Sequence, residues 1–396
     1  MTPPKTPTST PPMQLSLNTG GDELSLRAHL TPPVTPIGKP SGHDSLDQLE
    51  GGADASIVKQ TITKPLRFID DLKICRDADD IPIEFGRGVL SIVYKATSAP
   101  PAPPIGADTP PTSPAFSSRV LAAKIPLRRD ARAALQAEAL TLTRLNRTPG
   151  HDDHVIKFFG VEAATEALVM AAVPLDLSTY VEDQADLRKN NFSTATMFEP
   201  VMGMDSFSDL ARKLIGGLAW LHNEAGLVHG DVKPLNILLR PIASDDCAHA
   251  DADTGAFPYY PLYADFSSAL DIPSDQEDIN SKITDMYAVT VPFTAPEILK
   301  SLISGNVALS PASDVFSLAA TLIACATGDM LLYPGDRRRR QLMACDGHQI
   351  LEFTRNGANG ARVSRNGLVE KLVKPAVVKD PSQRISAQDW VAFAAA

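Results

Sequence analysis

The sequence predicts an α+β domain in two lobes: a small antiparallel β-sheet lobe with one helix, followed by a larger, mainly helical lobe. Three observations predict it. Short β-prone runs crowd the first part of the globular pattern. A single Ala- and Leu-rich helical stretch interrupts them, and helical periodicity dominates beyond residue 205. Strands gathered first and helices afterwards are the order of an α+β architecture.

Taken in order, the pattern changes character at about residue 78. Ile81 to Phe85 and Ile92 to Ala96 read as strands around glycines, and Val120 to Ile125 as a third. Residues 130–146 form the helical stretch, and Val155 to Phe159 and Ala167 to Val173 add two more strands. Phe207 to His222, Ser313 to Thr327 and Val369 to Val377 carry helical patterns. The small lobe spans about 78–172, with a Pro-rich insertion at 97–118, and the large lobe about 176–392.

Residues 1–65 are rich in Pro, Thr, Ser and Gly. Such a segment buries too little apolar surface to offset its ordering entropy, so disorder is expected there. This segment and the insertion hold Thr-Pro and Ser-Pro pairs at Thr2, Thr6, Thr10, Thr31, Thr35, Thr109 and Ser113. They read either as polyproline-II-prone linkers or as targets of proline-directed kinases, which would then be partners of the N-terminal segment.

Hydrophobic content of 43% supports a sizeable core, and a formal net charge of −10 argues against a general nucleic-acid binder. No apolar run is long enough to span a bilayer, and the N-terminus lacks the apolar core of a signal peptide. Cys75, Cys247, Cys325 and Cys345 have no paired spacing and read as reduced thiols of a cytoplasmic or nuclear protein.

The chemistry-bearing residues fall into ordered blocks. Phe85-Gly86-Arg87-Gly88-Val89-Leu90-Ser91-Ile92-Val93 sets glycines at a strand turn, where backbone N–H groups can approach phosphate oxygens. Alone, this reads rather as a plain hairpin turn. Leu121-Ala122-Ala123-Lys124 then places an ammonium in an apolar strand, where it needs anions. Glu138 is the only carboxylate of the helix that follows, apart from Asp130 at its first position.

His229-Gly230-Asp231-Val232-Lys233-Pro234-Leu235-Asn236 precedes the apolar Ile237-Leu238-Leu239, and Asp265-Phe266-Ser267 follows. Thr290, Ala295-Pro296-Glu297, Asp314 in a helix, and Arg384 complete the order. Phosphoryl transfer asks a protein for metal ligands, a positioned acceptor hydroxyl and charge stabilisation. Asn236 and Asp265 are the hard oxygen ligands that magnesium prefers. Asp231 can take a hydroxyl proton, and Lys233 can steady the charge on the transferring group.

This ordered set resembles the signature of the eukaryotic-type Ser/Thr protein kinases over about residues 78–392. The resemblance implies a two-lobed protein-kinase-like fold, ATP and Mg2+ as cofactors, and a protein substrate. It implies an ion pair of Lys124 with Glu138 that holds the α/β-phosphates, Asp231 as catalytic base, and Asn236 and Asp265 as metal ligands. Gly86, Gly88 and Ser91 would cover the phosphates. Met170 resembles the gatekeeper, Ala171 to Val173 the hinge, and Val93, Ala122 and Leu238 would sandwich adenine. Lys233 and Thr290 resemble the Ser/Thr-specific branch, and Glu297 and Arg384 the structural salt bridge of the large lobe.

Three positions depart from the family pattern. Ser91 replaces the third loop glycine, Gly230 the arginine before the catalytic Asp, and Ser267 the glycine after Asp265-Phe266. None removes a ligand. Gly230 does remove a guanidinium that would grip a phosphorylated activation loop. Acidic Asp271, Asp275, Glu277, Asp278 and Asp285 surround Ser281, Thr284 and Tyr287, so activity without loop phosphorylation is expected.

Other polar clusters read as solvated surface. His151-Asp152-Asp153-His154 reads as a loop rather than a metal site, and Arg337 to Arg340 as an exposed helix start rather than a docking patch. Asp245, Asp246, Asp251 and Asp253 read as a loop rather than a calcium site. Two rival functions remain: a nucleotide-binding pseudokinase scaffold without transfer, and a small-molecule kinase. The aminoglycoside and choline phosphotransferases also carry His-Gly-Asp, but Lys233, the Thr290 to Glu297 segment and Arg384 belong with protein kinases.

Overall fold

The computed structural model describes residues 62–99, 119–191, 193–242, 256–272, 289–304 and 309–396. The N-terminal segment up to residue 61, the insertion from 100 to 118 and the acidic stretch Asp245 to Asp253 lie outside them. So do Cys247, Asp275, Glu277, Asp278, Asp285 and the loop residues Ser281, Thr284 and Tyr287.

The longest strand organises the sheet. β3 (Ser91–Ala99) pairs antiparallel along one edge with both β1 (Asp71–Ile74) and β2 (Glu84–Arg87). Its other edge pairs with β4 (Arg119–Pro126), which leads to β6 (Leu168–Ala171) and then β5 (Phe158–Val161). The sheet therefore begins at Asp71, ahead of the pattern change at residue 78. The strand expected over Ile81 to Phe85 runs instead from Glu84 to Arg87. Pro82 has no N–H for the ladder and makes only an isolated bridge to Arg76. The Asp77 carboxylate accepts the N–H groups of Asp79 and Ile81, turning the chain just before it.

Alternation along β4 separates two faces. Leu121 and Ala123 join Ala96, Ala167 and Val169 in a small cluster on one face. Ala122 and Lys124 point to the other, opposite Met170 and Leu168 of β6. Helix α1 (Ala131–Leu145) covers that second face with Leu135, Glu138, Ala139, Leu142 and Leu145, a helical apolar stripe containing one carboxylate.

The remaining chain is mainly helical. Asp176 caps α2 (Leu177–Asn190) by accepting the Thr179 N–H. Helix α3 (Met204–Asn223) buries Phe207, Leu210, Leu214, Ile215, Leu218 and Leu221. Helix α4 (Pro311–Thr327), capped by Ser310, is buried at every residue from Ser313 onward and forms the centre of the fold. A 9-residue helix, Ala387–Ala395, seats Trp390 in the same core. That core also takes in Leu135, Leu142, Phe158 and Met170, so sheet and helices share one apolar cluster.

Two boundaries differ for simple reasons. Val155 only bridges Tyr263, and the ladder expected from Val155 to Phe159 starts at Phe158. The helix expected over Val369 to Val377 closes at Val373 and tightens into a 3-10 turn at Lys374–Ala376, because Pro375 offers no N–H. His151–His154 forms one helical turn in which Asp152 pairs with Lys157 and His154 stacks on Trp220. Arg337–Cys345 is a helix whose first turn is capped by Asp336. Cys75, Cys325 and Cys345 are free thiols. Among the described residues, no helix is long and apolar enough to cross a membrane.

Arg384 ties the distal helices together. Its side chain is wholly buried, and its two terminal nitrogens donate to Glu297 at 2.6 and 2.7 Å. Val378 O and Ala312 O accept two more of its N–H groups. Removing one partner strands a buried charge. Glu297→Ala should therefore lower the unfolding free energy by about 3 kcal/mol in urea melts, and a loss below about 1 kcal/mol would contradict this account.

Candidate active site

The site is assembled where sheet, helix and catalytic loop meet. Lys124 projects from β4 into a dry region, 5% exposed, and Glu138 from α1 is 1% exposed. An isolated ammonium or carboxylate there would be costly, and each satisfies the other. Lys124 Nζ donates to both Glu138 oxygens at 2.8 and 2.7 Å and to Asp265 Oδ1 at 2.8 Å. The Phe266 N–H donates to Glu138 at 3.3 Å, tying α1 to the residues after Asp265.

Burial disfavours the charged ammonium, but Asp265 and Glu138 outweigh it and hold the Lys124 pKa well above its usual value. Burial likewise opposes the Asp265 charge, and Lys124 overrides it, so this carboxyl lies well below the usual carboxylate range. For Glu138 burial prevails and pushes the carboxyl up against the pull of Lys124. Asp265 sits in the left-handed region at φ 61°, a strained conformation, and its side chain remains 41% exposed.

A second cluster forms in the loop between β7 (Leu227–Val228) and β8 (Ile237–Pro241). Asp231 Oδ2 lies 2.6 Å from Lys233 Nζ and accepts from Asn236 Nδ2 at 2.9 Å. Thr290 Oγ1 donates to Asp231 Oδ1 at 3.3 Å and accepts from Lys233 at 3.0 Å. Asn236 Nδ2 also donates to the Asp231 carbonyl. The amide nitrogen is thus committed, which leaves Oδ1 as the oxygen available to a ligand.

Asp314, at the start of α4, fastens this loop from below. It is 1% exposed and accepts the His229 N–H at 2.7 Å, the Gly230 N–H at 2.9 Å and His222 Nε2 at 3.1 Å. The buried His229 ring reaches Ala264 O through Nε2 at 3.1 Å and lies 4.8 Å from the Phe266 ring. In sequence, Asp314 is only an acid in a helix. A carboxylate heading the otherwise apolar Val315-Phe316 run signals that donors must converge on it.

Gly230 is more than a missing arginine. Its φ is +79°, and a Cβ there would stand 2.6 Å from Ser268 O and 2.9 Å from Leu309 Cδ1. The catalytic loop and the segment after Asp265 therefore meet too closely for a side chain. The loop glycines behave oppositely. A Cβ on Gly86 would meet nothing within 4 Å, and one on Gly88 only Ser91 O at 3.7 Å. Protein packing does not require either glycine.

The other expected adenine-site residues are placed by the sheet. Val93 lies opposite Lys124, and Ala122 opposite Met170. Ala171 ends β6, Val173 follows it, and Leu238 bridges Asp176 just beyond. Among the described residues, no group of three or more His, Cys, Asp or Glu is gathered as a metal cage. Magnesium needs none, since one or two carboxylates plus substrate phosphates suffice. Partly exposed Asp265 and the Oδ1 of Asn236 fit that role.

A family model described as the protein kinase domain matches residues 117–393. The chain belongs to the protein kinase family. It is also 25% identical over 206 residues to serine/threonine-protein kinase PKZ1 of Phytophthora infestans, strain T30-4, covering 49% of this chain and 47% of that protein. The chain thus aligns with about half the length of this curated relative.

In this member of the family, Asp314 should act on the loop around Asp231 and not on the Lys124 cluster. Asp314→Ala leaves the His229 and Gly230 amides unpaired and frees Asp231 to drift. Turnover should fall by about a hundredfold, as misplacement of a reacting group by an ångström does. Calorimetric Mg-ATP affinity should change by less than about threefold. Equal losses in turnover and affinity would show that the two clusters are not separately anchored.

Proposed function

We propose that the chain is a catalytically active Ser/Thr protein kinase that transfers the γ-phosphate of ATP to protein hydroxyls. The observation that carries this reading is the closed network of Asp231, Lys233, Asn236 and Thr290. A scaffold that only binds nucleotide has no need to hold Asp231 from three sides. The pseudokinase reading draws on Ser91, Gly230 and Ser267, none of which supplies a group of this network.

In this proposal a strand-rich lobe and a helical lobe enclose the nucleotide between them. Gly86 and Gly88 open the backbone to its phosphates, and Lys124, aimed by Glu138, neutralises the α- and β-phosphates. Asn236 and Asp265 would hold Mg2+, which when bound neutralises charge on the phosphate oxygens. Asp231 orients the acceptor hydroxyl and takes its proton as the oxygen attacks. Lys233 lies beside that carboxylate and stabilises charge on the group in flight. Lys233 reaches the transferring phosphate only with the acceptor held close to Asp231, which suits short Ser and Thr hydroxyls.

Labelled ATP and a generic protein substrate test the reading, with phosphoamino-acid analysis of the product. Phosphoserine and phosphothreonine are expected, and predominant phosphotyrosine would contradict the branch assignment. Asp265→Ala should lose both transfer and metal-dependent nucleotide affinity. Asp231→Ala should lose transfer while keeping ATP binding. Near-normal turnover in Asp231→Ala would remove the catalytic-base role, and no transfer by the unmodified chain would favour the scaffold.

A further inference from the structure

Residues 65–68 precede the family match, yet they are built into the edge of the sheet. Val161 of β5 donates its N–H to Leu66 O at 2.8 Å, and the Phe68 N–H donates to Val161 O at 2.9 Å. Arg67 and Val161 form a parallel bridge. The Phe68 side chain packs against the outer sheet cluster beside Leu72, Ile74, Ile125 and Phe159.

Two positions elsewhere are shaped for this segment. Gly160 has φ +129°, and a Cβ there would stand 2.6 Å from both Arg67 C and Phe68 N. Any side chain at 160 would push the segment off the sheet. Thr143 on α1 is 3% exposed and divides its hydroxyl between two partners. It donates to Ala139 O at 2.7 Å and accepts the Leu66 N–H at 2.9 Å.

The contact falls on the helix that aims Glu138. Thr143 lies in the closing turns of α1, and the next residue, Arg144, pairs with Asp271 beyond Asp265. The C-terminal end of α1 is thus gripped on one side by the preceding chain and on the other by the segment after Asp265. Glu138 lies on the same rigid helix, so a shift of this end moves its carboxylate relative to Lys124.

We propose that residues 65–68 form a strap that positions the Glu138 helix, so that phosphotransfer depends on chain ahead of the strands that carry the glycine turn. Thr143, Leu66 and Phe68 are positioning residues and touch neither nucleotide nor acceptor. The proposal rests on the kinase reading for its effect on turnover, and its effect on the helix is measurable without it.

The test uses the full chain with Thr143→Val, with Thr143→Ser, and with Leu66→Gly and Phe68→Gly combined. Amide hydrogen exchange over 131–145, turnover at saturating ATP, and melting temperature are measured, with turnover read well below every melting midpoint. Thr143→Val and the double variant should exchange faster in this helix and lose turnover by about five- to tenfold, the size of a modest coupling. Thr143→Ser should restore both. Wild-type helix exchange and turnover in the double variant would overturn the strap. Faster exchange spread evenly through the chain with unchanged turnover would overturn it equally, as a merely structural contact. If the unmodified chain transfers no phosphate, the kinase reading fails by itself. Helix-confined exchange then still supports the strap, and its absence removes it.

Discussion

One buried ammonium constrains the whole assembly. Lys124 sits in a sheet face closed by α1 and can remain charged only if carboxylates reach it. Glu138 must come from the helix and Asp265 from the turn after β9 (Tyr259–Tyr263). Neither carboxylate is adjacent to Lys124 in sequence. Three elements are therefore brought to one point by the need to pair a desolvated charge, and the shared apolar core closes around them. Breaking this cluster leaves a buried charge unpaired at the point where the helix, the sheet and the segment after Asp265 meet.

The catalytic loop depends on a different anchor. Asp314 binds the backbone of His229 and Gly230, while Asp231 is held by side chains. The Lys124 cluster and the loop around Asp231 thus rest on separate buried carboxylates, on α1 and on α4. Gly230 belongs to this division. Its loss of a guanidinium is matched by a backbone approach to Ser268 that no side chain would permit. The segment after Asp265 is also paired as a strand, with Leu270 opposite Val228 and Asp271 opposite Leu227.

Much of the site was legible because its chemistry travels in contiguous blocks. Lys124 in an apolar strand and Glu138 in an apolar helical stripe each announce a buried charge that needs a partner. Asp231, Lys233 and Asn236 lie within one short loop, so their proximity is nearly dictated by the chain. Asp314 was less legible because its partners are backbone amides, which leave no mark on sequence. Gly230 was half read: residue type reveals the missing arginine, and only the tertiary approach of Ser268 O shows why a side chain cannot return. β1 was missed because a four-residue Asp-Leu-Lys-Ile run gains its stability from pairing with β3, not from its own pattern.

In the proposed kinase, Lys124 and Glu138 act as one unit in holding nucleotide. Mg-ATP affinity, measured calorimetrically for Lys124→Met, Glu138→Gln and the double variant, tests it whether or not phosphate is transferred. The account predicts that each single change weakens binding and that the double change is little worse than either. The coupling should be about 2 kcal/mol, as for contacting charges in one network. Additive losses would contradict it and show that another group positions the ammonium.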